Sequence, residues 1–244
     1  MRILSIDSSL GTQLLVCDAV RRAGAPVSLR VLASAQQPDP RRHAESLGPM
    51  LARALADPAV ADAPLGAVVA ATGPAPFTGL RAGLVTARTV GRARGIPVYG
   101  VPSLDAVARA AFDELAQERG QEAAAGATII VLTDARRREV YSAAYRARGA
   151  DDVERLTDLR VGAPDRAREG VGERALLAGS GARQYASVLG DAPVLAAASG
   201  DGATQVRIAL ARLARGEELG TEPLYLRHGQ PRSEERRVGK ECRS

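Results

Sequence analysis

"RILSIDSS" at residues 2–9 and "TIIVLTDA" at residues 128–135 are the two segments on which the fold reading turns. Each is a short apolar run that ends in an aspartate, Asp7 in the first and Asp134 in the second. Each is soon followed by another strand-like run, "QLLVCDA" after Asp7 and "EVYSAAY" after Asp134. The polar turn Ser8-Ser9-Leu10-Gly11 separates the first pair, and "VSLRVLASA" then supplies a third strand, as "VERLTDLRVG" does in the second half. Helices and strands alternate afterwards in both halves. The first helix is built on Leu47, Met50, Leu51, Ala54 and Leu55, spaced three and four apart. Pro49 interrupts that pattern, so the helix either starts late or is kinked. "LGAVVAAT" reads as a buried strand, "IPVYGVPS" as another, and Leu104 to Glu118 as a helix. In the second half "ALLAGSG" leads into a helix, "APVLAAA" reads as a strand, and Ala203 to Ala214 as a closing helix.

Two halves with the same order of elements imply two related α/β lobes, each a mixed sheet with helices. The boundaries read as residues 1–105 and 106–231, with 232–244 as a separate tail. The arrangement resembles the actin, Hsp70 and sugar-kinase superfamily, a ribonuclease H-like ATPase fold.

Composition narrows the function classes. With 244 residues and 45% hydrophobic content the chain has enough apolar matter for a core. No apolar window of about 18 residues occurs, so no membrane span is expected. Asp7 breaks the first apolar run almost at once, which argues against a secretory signal, and a cytoplasmic location is expected. Cys17 and Cys242 suggest no disulfide framework, and Cys17 reads as a small buried hydrophobe. A net charge of +5 would attract nucleic acid, but the absence of Trp and 3% aromatic content argue against a base-stacking platform. Arg232 to Ser244 holds the single lysine, Lys240, in a chain otherwise served by arginine. That contrast reads as sequence foreign to the rest, and without it the net charge falls from +5 to +3.

"TGPAPFTGLRAGLVTARTVG" at residues 72–91 passes from a strand through a Gly/Pro turn into a helix, as a phosphate loop does. A phosphate cradle needs successive backbone N–H donors, and Pro74 and Pro76 remove two of them. Leu80 also stands after Gly79 where a Walker loop has Lys. The stretch is therefore a helix start. Gly79, Gly83, Ala87 and Gly91 recur every fourth residue and share one stripe, flanked by Leu80, Leu84 and Val90, while Arg88, Arg92 and Arg94 suit a wetter side. Glycine costs about 0.8–1.0 kcal/mol relative to Ala inside a helix, so the stripe calls for a closely approaching neighbour. That neighbour is either another chain or the helix's own lobe.

The segments "RILSIDSS", "RRHAESLGPML", "GPAPFTGLRAG", "VPSLDAVA", "DARRREVYSAAY" and "EPLYLR" together resemble the TsaB (YeaZ) family, in order from Met1 to about Arg227. Ala75-Pro76 stands where that family more often has Gly-Ser, and Arg41 to Glu45 is one variant of a basic-His segment. The resemblance implies a non-catalytic partner subunit in the synthesis of N6-threonylcarbamoyladenosine on tRNA. It implies that the first two helices of the N-terminal lobe form a bundle with the same elements of a catalytic paralogue, TsaD. An ATPase subunit, TsaE, would join the pair, tRNA would be met through the complex, and self-association into a homodimer stays open. On this implication the partner interface is expected at Leu47, Met50, Leu51, Gly79, Leu80, Gly83, Leu84, Ala87 and Gly91.

Catalytic constellations are thin. The catalytic paralogue carries two His four apart on a helix, whereas here Leu47 stands four residues after His43, and His228 is the other His. No metal site is expected from that set. No Ser stands in a G-x-S-x-G elbow, and Gly179-Ser180-Gly181 reads as a turn. Members of the superfamily place acids beside Mg²⁺ and phosphate between the lobes. Asp7, Ser8, Ser9, Gly11, Thr12 and Asp134 are accordingly the candidate degenerate phosphate site. Arg136, Arg137 and Arg138 are bulky where close phosphate approach favours small residues, so ATP hydrolysis by the chain alone is not expected. Weak or shared ATP or ADP binding, with no cofactor of its own, is the expectation. The alternatives are an ATP-dependent small-molecule kinase of the same fold and an M22-type metallopeptidase.

Overall fold

The computed structural model describes residues 1–39 and 42–226; the tail at 232–244, His228 and Cys242 lie outside the described residues. The first sheet is built from β1 (Arg2–Asp7), β2 (Thr12–Val20), β3 (Ser28–Gln37), β4 (Ala67–Ala71) and β5 (Val98–Val101), in the order β3-β2-β1-β4-β5. β1, β2 and β3 form an antiparallel meander, and β4 and β5 add in parallel beyond β1. All six residues of β1 and all five of β4 are buried, as strands covered on both faces must be.

Strand alternation distributes those side chains. Leu4 and Ile6 face one way, onto α1 (His43–Ala56) and α3 (Phe77–Arg94), through Leu47, Met50, Leu80, Leu84 and Ala87. Ile3 faces the other way, with Cys17 and Val69, onto Val206, Ile208 and Ala209. α1 begins at His43 and runs through Pro49 without starting late. The short helix α2 (Pro58–Ala61) follows it, started by Asp57, whose side chain accepts from the Ala59 N–H. α3 ends at Gly95, whose φ of 62° permits the left-handed cap, with the Ile96 N–H donating to the Gly91 carbonyl.

The second half repeats the first around β6 (Ile129–Arg136), after α4 (Ser103–Arg119) and α5 (Gln121–Gly126). β6 pairs antiparallel with β7 (Glu139–Arg148) and parallel with β10 (Leu176–Ala178), as β1 pairs with β2 and β4. The run "VERLTDLRVG" divides into β8 (Asp152–Arg155) and β9 (Arg160–Gly162), which pair with different parts of β7. A 3-10 turn at Pro164–Arg168 precedes β10, and α6 (Ser180–Gln184) and α7 (Ala186–Leu189) follow it. The expected strand in "APVLAAA" reduces to an isolated bridge between Val194 and Leu177.

The closing helix α8 (Gly202–Leu213) departs from the sequence boundary at residue 105. It packs on the first sheet, where Val206, Ile208 and Ala209 join Ile3, Cys17 and Val101. The first lobe is therefore completed by the far end of the chain. α4 serves the second sheet instead, with Leu104, Val107, Ala111, Phe112 and Leu115 packed against Ile129, Val131 and Tyr145.

Arginines of α8 tie the lobes together. Asp105, 2% exposed, accepts from the Tyr145 hydroxyl and Arg155 at 3.0 Å each and from Arg212 at 2.8 Å. Arg212 also reaches Asp152, and Arg207 bonds Asp113 and Asp151. A buried carboxylate removed from water needs such partners, and breaking one typically costs about 3–5 kcal/mol.

Candidate functional site

The inner face of α3 is filled by its own lobe. The Ser8 hydroxyl, carried in just after β1, donates to the Gly79 carbonyl at 2.7 Å and accepts from the Gly83 N–H at 3.1 Å. It thus bridges two groups of one helical turn. A Cβ added at Gly83 would lie 2.2 Å from the Ser8 Oγ, and one at Gly79 would lie 2.6 Å from the His43 Nε2. A Cβ at Gly91 would lie 2.3 Å from the Val98 Cγ2. These glycines are required by Ser8, His43 and Val98 of the same chain. Leu47, Met50, Leu80, Leu84 and Ala87 are likewise buried in the first core. Of the nine residues expected at a partner interface, Leu47, Met50, Gly79, Leu80, Gly83, Leu84, Ala87 and Gly91 are buried inside the lobe, and Leu51 is partly exposed.

Of the candidate phosphate residues, five line two neighbouring cavities and Asp7 lines neither. Ser8, Ser9, His43, Asp134, Arg136 and Ser180 line a cavity of about 340 Å³, and Gly11 and Thr12 line an adjoining one of about 350 Å³. Most of their polar groups are already engaged. Asp7 accepts from the Ser9 N–H and hydroxyl and from the Gln205 amide, and burial raises its pKa above the usual carboxylate value. Thr12 Oγ1 lies 2.9 Å from the His43 Nδ1, and burial lowers the His43 pKa against the opposing pull of Asp39. Asp134 accepts from the Arg136 N–H and has that residue's guanidinium 3.7 Å away. Arg136, Arg137 and Arg138 form the turn into β7 with φ of 66°, 53° and 63°, and all three are exposed. The Gly179 turn fits tightly against β6, since a Cβ there would lie 2.1 Å from the Leu132 carbonyl oxygen.

The outer face of α3 is different. Phe77 is 52% and Val85 62% exposed, and Arg81, Arg88 and Arg92 share that side. The segment 219–225, from the end of the described chain, runs beside it. The Gly100 N–H donates to the Leu219 carbonyl at 3.1 Å and the Leu224 N–H to the Thr72 carbonyl at 2.8 Å. Arg88 donates to the Thr221 hydroxyl and carbonyl at 3.0 and 2.6 Å. Arg81 lies 3.6 Å above the Phe77 ring and donates to the Tyr225 hydroxyl at 3.0 Å, and the two rings are 5.2 Å apart. The sequence reading missed this cluster. Its signal was the spacing of Phe77, Arg81, Val85, Arg88 and Arg92, together with the "EPLYLR" motif.

The TsaD family, tRNA N6-adenosine threonylcarbamoyltransferase, matches residues 34–166, more than half of the chain. The chain belongs to the TsaD family. Uncharacterized proteins of Mycobacterium tuberculosis and Mycobacterium bovis are each 44% identical to this TsaD-family chain over 143 residues, 59% of it. The match spans 58% of the length of those relatives. In fold, YeaZ from Pseudomonas aeruginosa superposes with a TM-score of 0.71 at 24% identity, over 92% of this chain and 99% of that one. A second Pseudomonas aeruginosa structure, an uncharacterized protein with similarity to peptidase YEAZ, has the same TM-score and identity over 93% and 99%. The likeness shows a YeaZ-type, actin-like two-lobed fold.

This TsaD-family chain does not fit a metal on α1. His43 is buried against Thr12, and Leu47, four residues on, is a core side chain 3% exposed. Among the described residues no cluster of three or more His, Cys, Asp or Glu is placed to hold a metal ion. Among them also, no helix is long and apolar enough to cross a membrane.

Proposed function

We propose that this protein is the TsaB-type, non-catalytic subunit of a tRNA threonylcarbamoyladenosine-forming complex, binding and activating a catalytic TsaD paralogue. The observation that carries this reading is at α1. The helix that offers two histidines in the catalytic paralogue here offers a buried His43 and a core Leu47, so it has no metal-binding pair. The chemistry then belongs to the paralogue. This chain contributes the outward faces of α1 and α3, the elements through which the family resemblance implies pairing, with Leu51, Phe77 and Val85 among their accessible apolar residues. A subunit without a reactive group raises turnover by favouring the active conformation of the one that has it. The ATPase subunit TsaE joins this pair, and tRNA is met through the assembled complex. The cleft between the lobes contributes no more than a share of ATP or ADP binding, because Asp7, Ser8 and Thr12 are engaged internally.

The test is reconstitution with the catalytic paralogue, the ATPase subunit, tRNA and threonylcarbamoyl-adenylate, omitting each component in turn and scoring modified nucleoside. The expected result is no product from this chain alone and a loss of product when it is left out. Product from this chain alone overturns the non-catalytic reading, and full activity without it overturns the activating role.

A further inference from the structure

We infer that α8 is a locked hinge: Arg207, Arg212 and Arg215 clasp the second lobe, so that the two lobes move as one rigid body and the cleft between them keeps a fixed width. The inference stands on the packing of α8 and holds whether or not the partner-subunit reading does.

The path of the chain sets up the hinge. It crosses between the lobes twice, from β5 through Pro102 into α4 and again through residues 198–201 into α8. The two crossings touch, because a Cβ added at Gly200 would lie 2.5 Å from the Ala106 Cβ. Two adjacent crossings make an axis about which lobes can rotate, and relative motion is the default unless other contacts oppose it.

The closing helix moves with the first lobe. Val206, Ile208 and Ala209 are buried against Ile3, Cys17 and Val69, and a Cβ added at Gly202 would lie 2.8 Å from the Leu15 Cβ. On the same helix the Gln205 amide accepts from the Ser5 hydroxyl at 2.9 Å and donates to Asp7 at 2.7 Å. A bond from α8 to the second lobe is therefore a bond across the hinge.

Four aspartates of the second lobe receive such bonds. Arg207 donates to both oxygens of Asp113, at 2.6 and 3.3 Å, and to Asp151 at 3.0 Å. Arg212 donates to Asp152 at 3.0 Å and to Asp105 at 2.8 Å, and Arg215, just beyond the helix, reaches the other oxygen of Asp152. Asp151 also accepts from the Val27 N–H of the first lobe at 2.8 Å. The acceptors are fixed to one another, since Arg109 of α4 donates to the Gly149 and Asp152 carbonyls and pairs with Asp113. Asp105 and Asp152 are buried, so a rotation that parts them from Arg212 strands charges away from water. One helix carries both Arg207 and Arg212, and rotation must break their bonds together.

The experiment measures the distance across the cleft in the full chain, by pulsed electron paramagnetic resonance. Spin labels are placed at Gln36→Cys and Gln184→Cys, exposed residues of the first and second lobes, with Cys242→Ser and the buried Cys17 left in place. One narrow distance is expected with the clasp intact. Arg207→Met and Arg212→Met, which keep an apolar stem and remove the charge, are expected to broaden it or add a second distance. In both, exchange of the Val27 N–H is expected to quicken about 10- to 100-fold, with the Leu4 and Leu132 amides of the two sheets changed far less. Arg146→Met, which breaks an exposed pair with Glu154 inside the second lobe, is expected to alter neither readout. A broad or double distance with the clasp intact overturns the lock, as does a narrow distance kept in both clasp variants. Equal loss of protection at Val27, Leu4 and Leu132 also overturns it, by assigning the arginines to the stability of the lobes themselves.

Discussion

The two sides of α3 are built from the same 18 residues and put glycine and arginine to opposite uses. On the inner side Gly79, Gly83 and Gly91 admit His43, Ser8 and Val98 of the same lobe to within distances that a methyl group would forbid. On the outer side Phe77, Arg81, Val85, Arg88 and Arg92 stand clear of the glycine stripe, Phe77 and Val85 are more than half exposed, and Phe77, Arg81 and Arg88 meet the 219–225 segment. The difference separates two properties that a helical stripe can report. A row of small residues reports that something approaches closely, whichever chain supplies it. An exposed row of aromatic, branched and charged residues reports a surface still available for contact.

The sharpest way to break this comparison is Gly83→Leu. If the inner side belongs to the fold, the new side chain expels the Ser8 hydroxyl and leaves a buried donor and acceptor unpaired. The expected loss is about 3–5 kcal/mol of unfolding free energy by denaturant titration. A variant that folds with unchanged stability but no longer binds the catalytic paralogue would return the glycine stripe to the interface. Pairing Gly83→Ala with Ser8→Gly sharpens the point: the double variant should recover part of the stability that Gly83→Ala loses, because the clash is with Ser8.

Next in size is a pH effect at His43, where the inner side of α3 meets α1. Burial holds this imidazole below its ordinary value of 6.5. The unfolded chain takes up the proton first, so His43 stabilises the fold fully above that value. Its contribution falls as pH drops from 6.5 toward the lowered folded value. Asp7, whose pKa is raised by burial, works with the opposite sign, its contribution falling as pH rises above 3.8. The measurement is therefore a difference: unfolding free energy against pH for the unaltered chain and for His43→Gln, with the slope just below pH 6.5 shallower in the variant. Equal slopes would mean that His43 titrates in the folded chain as it does in the unfolded one.

The smallest effect is expected on the outer side. Val85→Ser changes a side chain that is 62% exposed, and folding stability should stay within about 0.5 kcal/mol. A loss of several kcal/mol by denaturant titration would show that this side is also covered and would erase the distinction between the two faces.

Much of the fold was legible before any coordinates. Short apolar runs ending at Asp7 and Asp134 announced β1 and β6, and the strand-like runs after them announced their partners β2 and β7. The repeated order implied two lobes, and both sheets have it. The placement of α8 was not legible: an amphipathic helix shows that it has an apolar side, and either sheet would satisfy it. Of the candidate site, the meeting of Ser8, Ser9 and Asp134 in one cleft followed from the repeat, whereas the internal engagement of Asp7 by Gln205 did not. Those two residues are 198 apart in sequence.

The sequence by itself determined the paired strands that end at and follow Asp7 and Asp134, a helix after the Gly/Pro turn at 73–76, the lack of a second histidine four residues after His43, and the need for close packing at Gly83. Those follow from local sterics, backbone donors and residue chemistry, which neighbours in the chain are enough to settle. Tertiary structure alone decided that Ser8 fills the space at Gly83, that α8 completes the first lobe, and that Tyr225 comes to rest beside Phe77. The physical reason is that a missing Cβ or an exposed ring defines a vacancy or an apolar surface without naming its occupant. The occupant is chosen by the path of the whole chain, when segments remote in sequence compete to bury the same surface.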